Sequence, residues 1–191
     1  MPRNSTGNIL SSYAATAIRL FRTPDFTIGR RGQDRTETGR RPHMDLLDVL
    51  AKVELFEGLS REDLASLARI CRPRTFRAGE VITRQGEPGH DLFIVCEGLV
   101  EVVRDNPADP SAPHAVVNLG RGQIFGEMSL VDRGPRSASV RSVGDDSLVQ
   151  VLDGDDFQKV CGDNLRVGYV VMRNMAADLS FKLRHRHLTG R

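Results

Sequence analysis

Long apolar runs and paired cysteines are both missing from this sequence of 191 residues. No run approaches the roughly 20 apolar residues that a membrane-spanning helix needs, so we predict no membrane span. Cysteine is rare: Cys71, Cys96 and Cys161 are odd in number, widely separated and without the spacing of metal ligands. We therefore predict reduced, mostly buried thiols, which favours a cytoplasmic location.

Sequence motifs of enzymes are missing as well. The segment Gly120 to Phe125, GRGQIF, breaks the dinucleotide-binding pattern at its last position and is not at a strand-to-helix turn. None of the five histidines falls in a recognised catalytic triad or metal motif. The segment Asp153 to Asp156 is interpreted as the cap of a short helix rather than as a calcium site. We predict no catalytic residue, no metal and no resident cofactor.

Positive charge is concentrated at the two ends of the chain. Residues 1–43 carry eight arginines against three acidic residues, a net charge of +5. Residues 181–191 add a local +4, and the body between these ends carries −7. Basic ends can reach nucleic acid or an anionic membrane surface, although short basic tails are usually only solvated. The acidic body argues against nonspecific wrapping of DNA.

Composition divides the chain into a tail and one domain. Residues 1–43 are rich in Ser, Thr, Arg and Gly, and we predict that the second half of this tail is disordered. The first half could form a short amphipathic helix, and its poverty in acids also fits an organelle transit peptide. Since Met44 opens the domain, a mis-assigned start codon is another explanation of the tail. Residues 44–191 are numerous enough to bury a core.

Signals for strands and helices follow one another through the domain. Ser60, followed by Glu62 and Asp63, marks the start of a helix whose apolar stripe ends before Pro73. Turn residues separate short apolar runs that we predict to be strands, over 81–82, 92–95, 99–103, 115–119, 137–143 and 148–152. Many short strands with regular turns are typical of an antiparallel barrel or jelly roll.

A long helix is predicted from Asn164 to about His187. Apolar and long side chains recur there every seven residues, at Leu165, Met172, Leu179 and Arg186, and Met175 and Leu183 fill in the seam. This stripe exceeds what one face of a monomeric helix needs. Two interpretations stay open: the helix pairs with its twin in a homodimer, or it folds back on its own barrel.

The most informative segment is FGEMSLVDRGPRSASV, residues 125–140. Met128 to Val131 can form a single helical turn, and Gly126 can lie where the backbone approaches a ligand closely. Exposed N–H groups at such a turn attract an anion. Arg136 would add a charged fork that matches phosphate oxygens, with the Ser137 hydroxyl beside it. Glu127 only accepts hydrogen bonds when ionised, so it suits a ribose hydroxyl. The layout can hold a cyclic phosphate and its ribose.

FGE followed by PRSASV resembles the phosphate-binding cassette of the cyclic nucleotide-binding domain family, which includes protein kinase A regulatory subunits, cyclic nucleotide-gated channels and catabolite activator relatives. The resemblance covers about Leu46 to Leu188. It implies a mainly β fold with flanking helices: an antiparallel β jelly-roll barrel (double-stranded β-helix) with N-terminal helices and a long C-terminal helix. It also implies that these residues contact the ligand: Gly126, Glu127, Met128, Ser129, Arg136, Ser137 and Ala138.

The resemblance further implies a ligand and a mechanism. We expect a cyclic mononucleotide, with cyclic AMP preferred over cyclic GMP. Ser137 only narrows this choice: its hydroxyl can donate to the cyclic phosphate, as in similar bacterial members, or reach a guanine amino group if the base folds over the sugar. A cyclic dinucleotide is disfavoured, since its second guanosine would crowd the ribose pocket. The C-terminal helix, residues 164–188, is expected to close over the purine and to pair in a homodimer. Candidate base-capping residues on it are Phe181, Lys182 and Arg184.

Three functions are compatible with this sequence. The first is a stand-alone cyclic nucleotide sensor that acts on an unknown effector protein. The second is a Crp/Fnr-type transcription regulator or its remnant, because residues 188–191 resemble the hinge that precedes a helix-turn-helix; DNA binding is expected only with such a further domain. The third is a structural barrel that has lost ligand binding. Ligand titration separates the third from the other two.

Overall fold

The computed structural model describes residues 45–104 and 114–189 and contains eight strands in that part of the chain. The strands are β1 Cys71–Phe76, β2 Val81–Thr83, β3 Leu92–Glu97, β4 Val100–Arg104, β5 His114–Leu119, β6 Ile124–Phe125, β7 Ser139–Ser142 and β8 Ser147–Leu152. They form two antiparallel sheets with the orders β1-β8-β3-β6 and β2-β7-β4-β5. The predicted antiparallel jelly roll is confirmed.

Helices precede the first strand and follow the last one, and one short helix lies between β6 and β7. They are α1 Leu46–Leu50, a 3₁₀ turn Glu54–Phe56, α2 Arg61–Ile70, α3 Ser129–Asp132, α4 Gly154–Asp163 and α5 Leu165–Thr189. The predicted single turn of the cassette corresponds to α3, and the predicted long C-terminal helix corresponds to α5. The tail, residues 1–43, lies outside the described residues.

Two apolar clusters hold these elements together. One lies between the sheets and includes Phe76 and Phe93 from the first sheet and Val100 and Val140 from the second. The other lies between the first sheet and the helices, where Leu67 of α2 and Phe157 of α4 pack with strand residues of β3 and β8. The first sheet is therefore covered on both faces, and the cassette helix α3 joins the helical side through Leu130.

Two strands, β1 and β6, were not predicted from the sequence. β1 has four exposed residues in succession and contains Pro73, so it shows no alternation of apolar and polar residues. It lies at the edge of its sheet, where a residue without a backbone N–H is tolerated. β6 has only two residues, paired with Phe93 and Ile94 of β3. The predicted strand over 137–143 is shorter in the structure, because residues 137 and 138 still belong to the cassette turn.

The predicted start of α2 at Ser60 is confirmed by a capping box. The Ser60 hydroxyl accepts from the Asp63 N–H at 3.2 Å, and the Asp63 carboxylate accepts from the Ser60 N–H at 2.9 Å. The same carboxylate also accepts from the Asn164 amide at 2.9 Å and forms an ion pair with Arg166. Buried Asp63 thus joins the start of α2 to the start of α5.

We expect Asp63→Asn to lower the free energy of unfolding at pH 7 and to have a smaller effect in acid. Hydrogen bonds from Ser60, with help from Asn164 and Arg166, lower the pKa of Asp63 below its ordinary value. A depressed folded-state pKa stabilises the fold above the unfolded-state value near 4, and this stabilisation is lost as pH falls through the folded-state pKa. Urea unfolding of both proteins at pH 7 and pH 3 measures the difference.

Asp48→Asn is the control for this experiment, because Asp48 is an exposed acid in the first turn of α1. A difference between wild type and Asp63→Asn that stays constant from pH 7 to pH 3 would contradict the assignment of the effect to the ionised carboxylate.

The two faces of α5 have opposite environments. Val167, Val171 and Met175 are buried in the apolar cluster between the first sheet and the helices, which we call the helix-side cluster. The Asn174 amide donates to the carbonyls of Leu55 at 3.1 Å and Glu57 at 2.8 Å. Met175 is only 1% exposed, so the prediction that it belongs to the seam with Leu183 was wrong. The other face carries exposed apolar side chains: Leu165 at 79%, Tyr169 at 67%, Met172 at 36% and Leu183 at 58%.

No helix within residues 45–104 and 114–189 combines the length and the apolar character required to cross a membrane.

Candidate ligand-binding site

The cassette residues form a compact turn after β6. Gly126 has a φ of +80°, and Arg133, the C-cap that follows α3, has a φ of +50°. The Gly134 N–H then donates to the Asp132 carboxylate at 2.8 Å and closes the turn. Beyond it, the Arg136 backbone pairs in both directions with the turn that precedes β3: its N–H donates to Glu87 at 2.9 Å and its carbonyl accepts from Gly86 at 2.9 Å.

Gly126 is required by the space around it as well as by its backbone conformation. A Cβ atom at this position would lie 2.6 Å from Arg136 Nη1 and 2.8 Å from the Asp91 carbonyl oxygen. Gly89 leaves similar room, since a Cβ there would lie 2.6 Å from both Nε and Nη2 of Arg136. Two glycines therefore let the backbone close around the Arg136 guanidinium.

The Arg136 side chain is buried, with the residue only 7% exposed, and is held by a defined set of acceptors. Its Nη1 donates to the Asp91 carbonyl at 2.8 Å, to the Ser129 hydroxyl at 3.1 Å and to the Gly126 carbonyl at 3.5 Å. Its Nη2 lies 3.7 Å from the Asp91 carboxylate. The guanidinium carbon is 5.2 Å from the centre of the Phe93 ring, within range of a cation–π contact.

Burial lowers the pKa of Arg136, and the carboxylates of Asp91 and Glu127 raise it. Arginine stays protonated in proteins, so the result is a buried positive charge with two carboxylates nearby. The three hydrogen bonds to Asp91, Ser129 and Gly126 are all donated by Nη1, so the plane of the guanidinium is fixed from the Nη1 side. Such a pre-oriented fork suits an anion with several acceptor oxygens.

The predicted ligand contacts differ in their surroundings. Gly126, Glu127, Ser129 and Arg136 lie together. Ser129 is 3% exposed and its hydroxyl accepts from Arg136, so its side chain orients the arginine. The remaining cassette residues differ in exposure: Met128 is 44% exposed, Ser137 is exposed and Ala138 is half-buried.

The candidate base-capping residues lie in the second half of α5. The Phe181 side chain is half-buried and the Arg184 side chain is exposed, while the Lys182 side chain lies outside the described part of the chain. Base capping by any of the three stays a prediction.

Sequence reasoning missed Gly89, Asp91 and Phe93, which surround Arg136. They lie about 45 residues before it, and the two segments meet through the pairing of β3 with β6 and the backbone hydrogen bonds of Arg136 with Gly86 and Glu87. The available signal was the HDLFI segment after a glycine-rich turn, in which one acidic residue stands next to a buried strand. Without the sheet register, nothing in that segment points to an arginine partner.

The three cysteines are partly or fully shielded from solvent. All three are free: Cys96 is buried, and Cys71 and Cys161 are half-buried. Burial, with a smaller contribution from Cys96, raises the pKa of Cys71 to about 12. Burial also raises the pKa of Cys96 and of Cys161. Because the thiolate is the reactive form, these thiols stay protonated near neutral pH.

The site therefore lies in a jelly-roll module with a long C-terminal helix, and its centre is a glycine-enclosed arginine that follows a one-turn helix. Residues 73–164 match the family model described as "Cyclic nucleotide-binding domain". The chain thus carries a domain of the cyclic nucleotide-binding family, as its sequence predicted.

Relatives of several kinds share this domain. The cAMP-dependent protein kinase regulatory subunit of Dictyostelium discoideum is 34% identical over 85% of this chain and 48% of the relative. The cyclic nucleotide-gated potassium channel mll3241 of Mesorhizobium japonicum is 39% identical over 64% of this chain and 32% of the relative. The chain therefore spans half or less of these two proteins.

Among solved structures, the catabolite activator protein of Thermus thermophilus superposes with a TM-score of 0.63. The two chains are 32% identical, and the match covers 71% of this chain and 60% of the Thermus chain. Regulatory subunits, channels and transcription regulators thus share this fold with the present chain.

Proposed function

We propose that this chain is a sensor that binds a cyclic mononucleotide, with cyclic AMP preferred over cyclic GMP, and that α5 transmits the bound state to a partner protein. The observation that carries the proposal is the buried Arg136 guanidinium, enclosed by Gly89 and Gly126 and oriented by Asp91 and Ser129. A buried cation with its donors held in place favours a singly charged phosphate diester over water.

The neighbouring residues supply the other contacts. Glu127 carries a carboxylate that accepts hydrogen bonds, and it would bind the ribose hydroxyl while Arg136 binds the phosphate. Ser137 is exposed next to Arg136, so its hydroxyl can turn toward a phosphate oxygen without leaving a buried group unpaired. The preference for cyclic AMP is supported by the similarity to a cAMP-dependent regulatory subunit.

The signal would pass through α5 because its first half is fixed to the N-terminal helices. Asn174 bonds to Leu55 and Glu57, and Arg166 Nη2 donates to the Gly58 carbonyl at 2.9 Å. We infer that α5 and the 54–58 segment shift together when the ligand binds, since these contacts are costly to break one at a time. A ligand that binds the shifted state more tightly changes the surface that a partner meets.

Isothermal titration of the full chain with cyclic AMP, and then with cyclic GMP, tests this function on protein checked to be free of carried-over nucleotide. We expect one site of micromolar or tighter affinity, with cyclic AMP bound more tightly. Absence of binding to either nucleotide would overturn the sensor and favour a structural barrel that has lost its ligand. Tighter binding of cyclic GMP than of cyclic AMP would overturn the proposed preference for cyclic AMP.

The exposed face of α5 is proposed as the contact between two copies of this chain. Positions 165, 169, 172 and 176 alternate spacings of four and three residues, as in a coiled-coil seam, and position 183 follows one heptad later. Four of these five positions carry exposed large apolar side chains. The opposite face of the same helix packs on its own domain. Both interpretations of the helix can therefore hold at once, one for each face.

We expect Ala176→Glu to weaken dimerisation by at least about tenfold, because each copy would place a carboxylate in an apolar seam. Both Ala176 and Ala177 are exposed, but only Ala176 has the seam spacing, so Ala177→Glu is the matched control. Sedimentation equilibrium of the three proteins measures the dissociation constant. A wild type that is monomeric at all concentrations, or an equal effect of both substitutions, would contradict the dimer.

A Crp/Fnr-type transcription regulator is the second candidate, and its support is the similarity to the Thermus catabolite activator protein. In that case the α5 pair would carry the signal to a DNA-binding domain instead of to a separate effector.

A further inference from the structure

A cluster of potential metal ligands lies behind the cassette, where the residue pair before β3 meets the start of α4. One donor atom from each of His90, Asp91 and Asp153 lies within 4.8 Å of the others. The His90 Nε2 atom is 3.9 Å from an Asp153 carboxylate oxygen and 3.7 Å from an Asp155 carboxylate oxygen. These separations are too long for hydrogen bonds.

The spacing does suit an ion between the donors. A tetrahedral ion with bonds of roughly 2.0–2.2 Å holds its ligand atoms about 3.4 Å apart, so contractions of up to about 1.4 Å close the cluster. We propose that His90, Asp91 and Asp153 bind a divalent first-row transition metal ion, with zinc as its probe. One imidazole and two carboxylates favour such a metal over calcium or magnesium, whose ligands are oxygen atoms.

The backbone holds two of the three ligands in place. One oxygen of the Asp153 carboxylate accepts from the N–H groups of Asp155 at 2.9 Å and Asp156 at 3.0 Å, which leaves its second oxygen directed toward His90. Gly154 allows His90 to approach the helix this closely, since a Cβ at Gly154 would collide with the His90 carbonyl oxygen. Asp153 therefore caps α4, as predicted, and offers a metal ligand as well.

Asp91 joins this cluster to the cassette. Its carboxylate is also 3.7 Å from Arg136 Nη2, and the Asp155 carboxylate accepts from Arg133, at the end of α3, at 2.6 Å. A bound metal ion would draw the Asp91 carboxylate away from Arg136 and leave Nη2 more available to a phosphate. This consequence rests on the proposed function, and it predicts that metal and cyclic nucleotide each strengthen the binding of the other.

Zinc titration of the full, nucleotide-free chain against a competing chelator tests the site. We expect His90→Ala and Asp153→Asn to remove one zinc ion or to weaken its binding by at least about tenfold. Asparagine keeps the ability to cap α4, so Asp153→Asn removes the charge of the carboxylate while the helix start is retained. Asp163→Asn, at the other end of α4 and exposed, is the control and should bind zinc as the wild type does.

Cobalt(II) substituted for zinc gives a second readout, because a tetrahedral site with nitrogen and oxygen ligands produces visible absorption that His90→Ala should abolish. Equal zinc affinity and stoichiometry in the wild type, His90→Ala and Asp153→Asn would overturn the site, as would the absence of zinc binding.

Cyclic AMP titration with and without zinc tests the coupling separately. We expect severalfold tighter binding with zinc in the wild type and no change in His90→Ala. Unchanged affinity in the wild type would overturn the coupling and leave the site itself to the zinc titration. If cyclic AMP fails to bind under either condition, the proposed function falls, and the zinc titration still decides the metal site.

Discussion

Arg136→Ala is expected to weaken cyclic nucleotide binding by about 1.5–3 kcal/mol, a loss of roughly 10- to 150-fold in affinity. The substitution removes the buried donors that would meet the phosphate and leaves the Asp91 carboxylate without its cation. Isothermal titration with cyclic AMP gives the affinity of each protein. Unchanged affinity would contradict the assignment of residues 125–140 as a phosphate-binding cassette.

Arg141→Ala is the matched control for this loss. Arg141 lies in β7, five residues further along the chain, and its exposed side chain pairs with Glu101 at 2.7 Å. Arg141 pairs with half-buried Glu101 outside the cassette, so we expect nearly wild-type binding.

Arg136→Lys separates the charge of the arginine from its geometry. Arg136→Lys keeps the charge but loses the planar fork, and we expect an affinity between those of the wild type and Arg136→Ala.

Glu127→Ala should weaken binding less than Arg136→Ala, because a ribose hydroxyl is neutral and the phosphate is charged. A larger loss in Glu127→Ala would show that the two contacts are ranked wrongly. Thermal melting of each variant identifies those in which the buried site no longer folds.

Phe157→Ala is expected to lower the free energy of unfolding by about 3–5 kcal/mol. Phe157 lies on α4 and is among the largest fully buried side chains, packed between the first sheet and the helices. Removing the ring leaves a cavity that α4 and α5 can fill only in part, because both helices are held by their caps and by the Asp63 contacts. Urea unfolding, followed by circular dichroism, measures the loss.

Val131→Ala is the control for Phe157→Ala, since Val131 is an apolar residue on a short helix and is 57% exposed. We expect a change of less than about 0.5 kcal/mol there. A loss below about 1 kcal/mol in Phe157→Ala would mean that the helix-side cluster contributes little to the stability of the domain.

Local patterns were sufficient for much of the fold. The capping box at Ser60 and the cap at Asp153 act within three residues, so their chemistry is visible in the sequence. Strands β3, β4 and β8 are short apolar runs between turn residues and were predicted nearly to their ends. β1 and β6 were not predicted, because β1 is held at a sheet edge by its partner β8 and β6 is too short to show a pattern.

The cassette was proposed from the same kind of local signal, because Gly126, Glu127 and Arg136 lie close together in the chain. The ligand-binding roles assigned to them stay predictions. The surroundings of Arg136 were not recognised. Asp91, Gly89 and Phe93 reach it through the sheet register, and no local rule relates residues so far apart in the chain.

The sequence by itself determined the jelly-roll class and the positions of most strands and helices, because the strand, turn and cap signals depend on side chains that are neighbours in the chain. Only the tertiary structure decided which acceptors hold the arginine, that Ser129 orients it, and that Met175 faces the core while Leu183 faces outward. A helical repeat defines stripes of residues, but the packing of the whole domain determines which stripe is buried.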